Sequence, residues 1–182
     1  VPAAGGKHDY ADQAFSPDGR FVGCVDERDG DYDTAPTSTL RLFELATGES
    51  RDLTPDFAFW PASPVFSAGS DSVFFVADER GRRPVFRVDL GDGVVTRLTA
   101  DGAYSDLNVA TDGRSLFALR SSIDEPLSPV RLRVDVADQQ PTPMPAPGRL
   151  SGVPGRVVEV GATAPDGADV RAWLVLPDSA SA

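Results

Sequence analysis

The chain has 182 residues, enough for one compact domain. Its 28 acidic and 17 basic side chains leave a net charge of −11, and a surface that acidic repels nucleic-acid phosphates and anionic lipid headgroups. Neither nucleic acid nor a membrane is expected as a partner. No apolar run exceeds five residues, too short for a bilayer-spanning helix.

Cys24 and His8 are the single cysteine and histidine, so a zinc site of cysteine and histidine ligands is excluded and no cofactor is expected. A Ser-His-Asp triad would have to use His8, which lies in a Gly-rich stretch read as an N-terminal tail over residues 1–11. No G-x-S-x-G, Walker loop or G-x-G-x-x-G occurs, so no catalytic residue is assigned within the chain. The lone cysteine leaves the redox compartment open, and no basic-plus-apolar leader is present; a cytoplasmic location is the expectation.

After the tail, Phe15-Ser16-Pro17-Asp18-Gly19-Arg20 reads as a turn leading into a strand through Val25, and Leu40 to Leu45 as the next strand. Thr47-Gly48 then turns into a short outer strand ending in Leu53-Thr54. The same order returns as Val65-Phe66-Ser67-Ala68-Gly69, Val73 to Ala77, Val85 to Leu90 and Leu98-Thr99. A third copy begins at Val109-Ala110-Thr111-Asp112-Gly113-Arg114, with strands over Ser115 to Leu119 and Val130 to Val136. Ser16, Ser67 and Ala110 align at offsets of 51 and 43 residues, and six Asp-Gly pairs punctuate the whole as hairpin-turn candidates. A period in the forties with four short strands per unit is the signature of propeller blades. The expected fold is all-β: a partial β-propeller of about three four-stranded antiparallel blades over 12–54, 55–99 and 100–140. A Pro-rich connector over 141–155 and a C-terminal β-hairpin over 156–182 would follow.

These repeats resemble the blades of TolB-type propellers and of the propeller domains of prolyl oligopeptidase-family serine peptidases. Arg120-Ser121-Ser122-Ile123-Asp124-Glu125-Pro126, followed by Val130 to Asp135, is similar to the last blade before the catalytic domain in the acylaminoacyl-peptidase and dipeptidyl-aminopeptidase branch. Val157 to Val160, Pro165-Asp166-Gly167 and Val170 to Pro177 resemble the first hairpin of the α/β-hydrolase domain in those enzymes. The resemblance implies an interior piece of such a peptidase: a gate and scaffold for short peptide substrates, inert alone, with its catalytic residues beyond Ala182. Its partners would be the remaining blades and the catalytic domain. Open blade edges predict self-association. The alternative is a TolB-like propeller without a hydrolase that binds a protein or peptide.

Among individual signals, Arg80, Arg82 and Arg83 form a candidate substrate rim, because a guanidinium fork matches a carboxylate; the competing reading is a surface run paired with Asp78 and Glu79. The acidic stretch Asp26 to Asp33 fails as an EF-hand, since a loop starting at Asp29 puts Thr34 and Leu40 at its sixth and twelfth positions. Cys24 reads as a small core residue, and Phe57, Phe59 and Trp60 as packing between the first two blades, the alternative being a peptide-binding surface.

Overall fold

The recurring turn sets the architecture. In the computed structural model, which describes residues 8–146, 148 and 154–178, the Gly19 amide donates to Ser16 O at 2.9 Å, and the Ser16 amide to Phe21 O at 3.0 Å. The Asp18 carboxylate accepts from the Ser16 hydroxyl at 2.6 Å and from the Arg20 amide at 3.0 Å. The same closure recurs from Ser70 to Ser67 O at 3.0 Å and from Gly113 to Ala110 O at 3.0 Å. Each closing residue is left-handed, with φ of 72° at Gly19, 58° at Ser70 and 65° at Gly113. Glycine fills that conformation freely; the second copy places a serine there instead, one position past Gly69.

Among the described residues, three four-stranded antiparallel sheets and a two-stranded hairpin result. The first blade is β1 (His8–Phe15), β2 (Phe21–Arg28), β3 (Thr37–Glu44) and β4 (Ser50–Asp52). The second is β5 (Pro61–Phe66), β6 (Ser72–Ala77), β7 (Val85–Asp89) and β8 (Val95–Arg97). The third is β9 (Ala103–Val109), β10 (Ser115–Ser121), β11 (Ser128–Arg133) and β12 (Thr142–Pro143). The hairpin is β13 (Arg156–Thr163) and β14 (Asp169–Leu176). The first strands of neighbouring blades contact one another, β1 to β5 and β5 to β9. This is a partial β-propeller. Among the described residues no helix is long and apolar enough to cross a membrane.

Among the described residues, two hydrophobic cores lie between the blades rather than within them. Val25, Leu40 and Leu42 of the first blade meet Phe66, Val73, Phe75, Ala77, Phe86 and Val88 of the second. Phe74, Val76 and Val85 face the other way, onto Tyr104, Leu107, Leu116, Ala118, Val130 and Leu132 of the third. All six residues of β6 are therefore buried, which explains why its sequence does not alternate. Phe57 stands edge-on to Phe59, Phe75 and Phe86 at centroid distances of 5.5, 5.4 and 5.0 Å, filling the first interface as expected, whereas Trp60 is exposed and does not join it.

The Leu-Thr ending of the outer strands has a specific task. Leu53 and Leu98 are buried and pair with Leu40 and Val85, their amides donating to Leu40 O at 2.7 Å and Val85 O at 2.8 Å. Thr54 Oγ1 accepts the Leu40 amide at 2.8 Å, and Thr99 Oγ1 accepts the Val85 amide at 2.9 Å. One buried dipeptide thus satisfies both backbone groups of a buried residue in the third strand, Leu40 or Val85.

Several expectations need correction. The segment read as a tail becomes strand from His8 onward, because β1 pairs with β2 along its length, His8 opposite Arg28. The outer strand of the third blade is Thr142–Pro143, inside the stretch read as connector; proline is admissible there because the strand is an edge. Five of the six Asp-Gly pairs carry a left-handed glycine, whereas Gly30 does not. Its loop closes instead on Asp31, whose Oδ1 accepts the amides of Asp33 and Thr34 at 2.9 and 2.8 Å. Residues 1–7, the connector at 147 and 149–153, and the last four residues of the 156–182 segment lie outside the described residues.

Candidate functional site

A concentration of charged groups facing open space lies where the second and third blades meet the hairpin. β6 ends at Ala77, and the chain reverses through a two-residue turn: the Glu79 amide donates to Arg82 O at 2.9 Å and the Arg82 amide to Glu79 O at 3.0 Å. Arg80 and Gly81 take φ of 52° and 75°, the paired left-handed geometry of a tight hairpin turn. This turn projects Arg82 toward the Asp101-Gly102 turn and the hairpin. Arg82 Nε donates to Asp101 Oδ1 at 3.1 Å, and its Nη2 donates to Glu159 Oε2 at 2.9 Å. The guanidinium carbon stands 5.2 Å from the centre of the Trp173 ring, within cation–π range.

Arg120, near the end of β10, completes the opposite wall. It donates to Glu125 and lies 3.8 Å from Asp101. Its side chain needs Gly102: a Cβ there, at φ +85°, would come within 2.7 Å of Arg120 Nε. Gly81, Arg82, Asp101, Arg120, Glu125 and Trp173 are among the residues that line a cleft of about 580 Å³, a volume ordinary for a ligand site. Glu159 and Asp101 are held below the usual carboxylate range. For Glu159 the hydrogen bonds from Arg82 and Arg171 are responsible; for Asp101 burial pushes upward but is outweighed by Arg82 and the Gly102 amide. The same carboxylates raise Arg82 further above its ordinary value, Glu159 first. The site offers fixed charges and an indole face, suited to holding the polar ends of a ligand.

The three arginines singled out from the sequence separate. Arg82 is on the cleft wall; Arg80 sits at the exposed turn tip and lines a smaller hollow of about 130 Å³ with Glu159, Arg171 and Trp173. Arg83 is drawn into the blade interface, its amide donating to Gly102 O at 3.1 Å and its carbonyl accepting from the Tyr104 amide at 3.0 Å. Glu79, offered as their partner, binds Arg97 at 3.1 Å.

A second polar cluster was not foreseen. Asp26, 1% exposed, accepts from His8 Nδ1 at 2.7 Å and from Arg41 Nε at 2.8 Å. Burial raises the Asp26 pKa, but these two hydrogen bonds and the Arg41 charge outweigh it and hold the group below its ordinary value. His8 is therefore a structural partner and not a tail residue. The strand register aligns Asp26 with the core residue Ala77, one position away from Asp78, and that polar break in an apolar row was the available signal. Cys24 beside it is buried, with its thiol pushed up to about 11, chiefly by desolvation and then by Asp26, so it is a core residue and a poor nucleophile.

No known family profile matches the chain, and no curated protein sequence does. Solved structures do resemble it. The AtxE2 isopeptidase bound to Astexin3-dC4 aligns with a TM-score of 0.71 at 17% identity, over 96% of this chain and 26% of that one. The β-propeller domain of the trilobed protease from Pyrococcus furiosus aligns with a TM-score of 0.59 at 16% identity, over 91% of this chain and 53% of that one. TolB from Acinetobacter baumannii gives 0.56 at 19% identity, over 73% and 32%. The chain thus spans about half or less of the length of these structures, and the likeness establishes a propeller segment of the kind found in such peptidases and in TolB.

Proposed function

We propose that the chain is a gating and scaffolding segment of a prolyl oligopeptidase-family serine peptidase acting on short peptides, within the acylaminoacyl-peptidase and dipeptidyl-aminopeptidase branch. Its catalytic serine, aspartate and histidine would lie outside these residues. The observation that carries this reading is the hairpin. A two-stranded ribbon with Val160, Val170, Leu174 and Val175 exposed cannot be a finished unit, and it follows the third blade as the opening of a further domain would. An alignment over 96% of the chain leaves too few residues aside to omit that ribbon, whereas TolB matches 73%. In the whole enzyme the adjoining blades would cover the half-buried Phe117 and Leu119 of β10, which occupy the positions of the core residues Phe74 and Val76. Arg82 and Arg120 would then form part of the rim met by an entering peptide, with Arg80 at its margin.

The test is activity-based labelling. A fluorophosphonate should label the protein encoded by the full gene, which should hydrolyse short peptide substrates, and should leave the 182-residue chain unlabelled. Absence of labelling in the full-length protein would favour the second reading, a TolB-like propeller that binds a protein or peptide, for which the likeness of the blades to TolB is the supporting observation.

A further inference from the structure

Arg82 does more than line a cleft. It is the central member of a row of alternating charges that runs from the hairpin into the third blade. Arg171 Nη1 donates to Glu159 Oε1 at 2.8 Å, and Arg82 bonds the other oxygen of Glu159 at 2.9 Å. Arg82 also reaches Asp101 at 3.1 Å; Asp101 stands 3.8 Å from Arg120, which in turn pairs with Glu125. Glu159 and Arg82 are 77 residues apart, so their bond ties the hairpin to the second blade, while Asp101 and Arg120 extend the tie to the third. The Trp173 ring beneath Arg82 belongs to the hairpin as well and packs beside the Gly81 turn, where even a Cβ would meet Trp173 Nε1 at an ordinary contact distance of 3.6 Å.

The apolar surface of the hairpin is largely open. Leu174, Val175 and Val170 are exposed, and neither hydrophobic core includes a residue of β13 or β14. Packing therefore contributes little to holding the ribbon in place, and charged contacts contribute most. Such contacts are worth little individually and weaken with ionic strength.

We propose that Arg171, Glu159, Arg82 and Asp101 form an ionic latch that holds the hairpin over the cleft, with Arg82 on Trp173 as its clasp, and that screening or removing the Arg82–Glu159 bond releases the hairpin and opens the cleft. The latch is a property of these residues and goes beyond the peptidase reading. It is a property of the 182-residue chain, in which the apolar surface of the hairpin is uncovered.

The chain has two tryptophans, so Trp60→Phe leaves Trp173 as the sole fluorophore, and Trp60 is exposed enough for the change to be benign. Acrylamide quenching of Trp173 is then measured at low salt and at about 1 M NaCl, where the screening length falls to about 3 Å. Raising the salt should raise the quenching constant, up to the roughly threefold ceiling that its present 36% exposure leaves. Arg82→Gln and Glu159→Gln, each in the Trp60→Phe background, should show the high-salt value already at low salt and lose the salt dependence, with far-UV spectra unchanged. Quenching indifferent to salt and to both substitutions would overturn the latch. So would a rise with Arg82→Gln alone, which would make the contact one of ring stacking without an ionic tie.

Discussion

Asp26 concentrates the polar chemistry of the first blade. Its folded pKa lies below the unfolded value, so its contribution to stability is fully present above the unfolded carboxylate pKa of about 4 and is lost as pH falls through the folded pKa. Asp26→Asn removes the charge that Arg41 and His8 face, and should cost about 3 kcal/mol at pH 7, the usual order for breaking a buried pair. It should also flatten the acid limb: urea melts from pH 7 down to about pH 3 should converge for the two proteins, with the parent losing the difference below about pH 4. A constant gap across that range would contradict the assignment. At Thr99, fully buried, Thr99→Val keeps the shape and orphans the Val85 amide, so chemical denaturation should show a loss of about 1–3 kcal/mol. A neutral result would mean that the Leu-Thr ending serves packing alone.

At the level of elements, the strands differ in how many of their faces are covered. β6 has both faces sealed, whereas β10 turns Leu116 and Ala118 inward and leaves Phe117 and Leu119 half-buried. Phe75→Ala should therefore cost about 3–5 kcal/mol, the range for a buried phenylalanine, and Phe117→Ala well under half of that in the isolated chain. Equal losses in denaturant melts would mean that the blade interfaces do not carry the stability. The elements also show how far the sequence could be read. Turn residues and apolar runs act locally, so Ser16 to Arg20, Leu53-Thr54 and the core strands declared themselves. The inner-strand bulges did not. Asp12, Ser63 and Asp106 each take φ near +52°, on strands whose pairing with the next strand slips in register. They repeat at the same spacings of 51 and 43 residues as the turns, and the Ser63 amide donates to Asp12 Oδ2 at 2.8 Å. A bulge is fixed by register between two strands, which residue type at one position does not encode. The same holds for the bond between Arg82 and Glu159: Arg82 stood out as a rim candidate, but nothing local in the sequence joins it to a carboxylate 77 residues away.

Across the whole molecule, each blade is too thin to shield its own apolar surface, so stability is shared between neighbours and should be graded along the chain. The second blade has a partner on either side, the first and third have one each, and the hairpin is tied chiefly by charges. Residues of opposite character mark the two outer faces, Asp26 and Arg41 on the first blade, Phe117 and Leu119 on the third. Amide hydrogen exchange resolved by strand measures this gradient directly. Slowest exchange is expected in β6 and β7, intermediate exchange in β2 and β10, and fastest exchange in β13 and β14. Protection of the hairpin equal to that of β6, or greatest protection in the third blade, would contradict the account of blades that lean on one another in series.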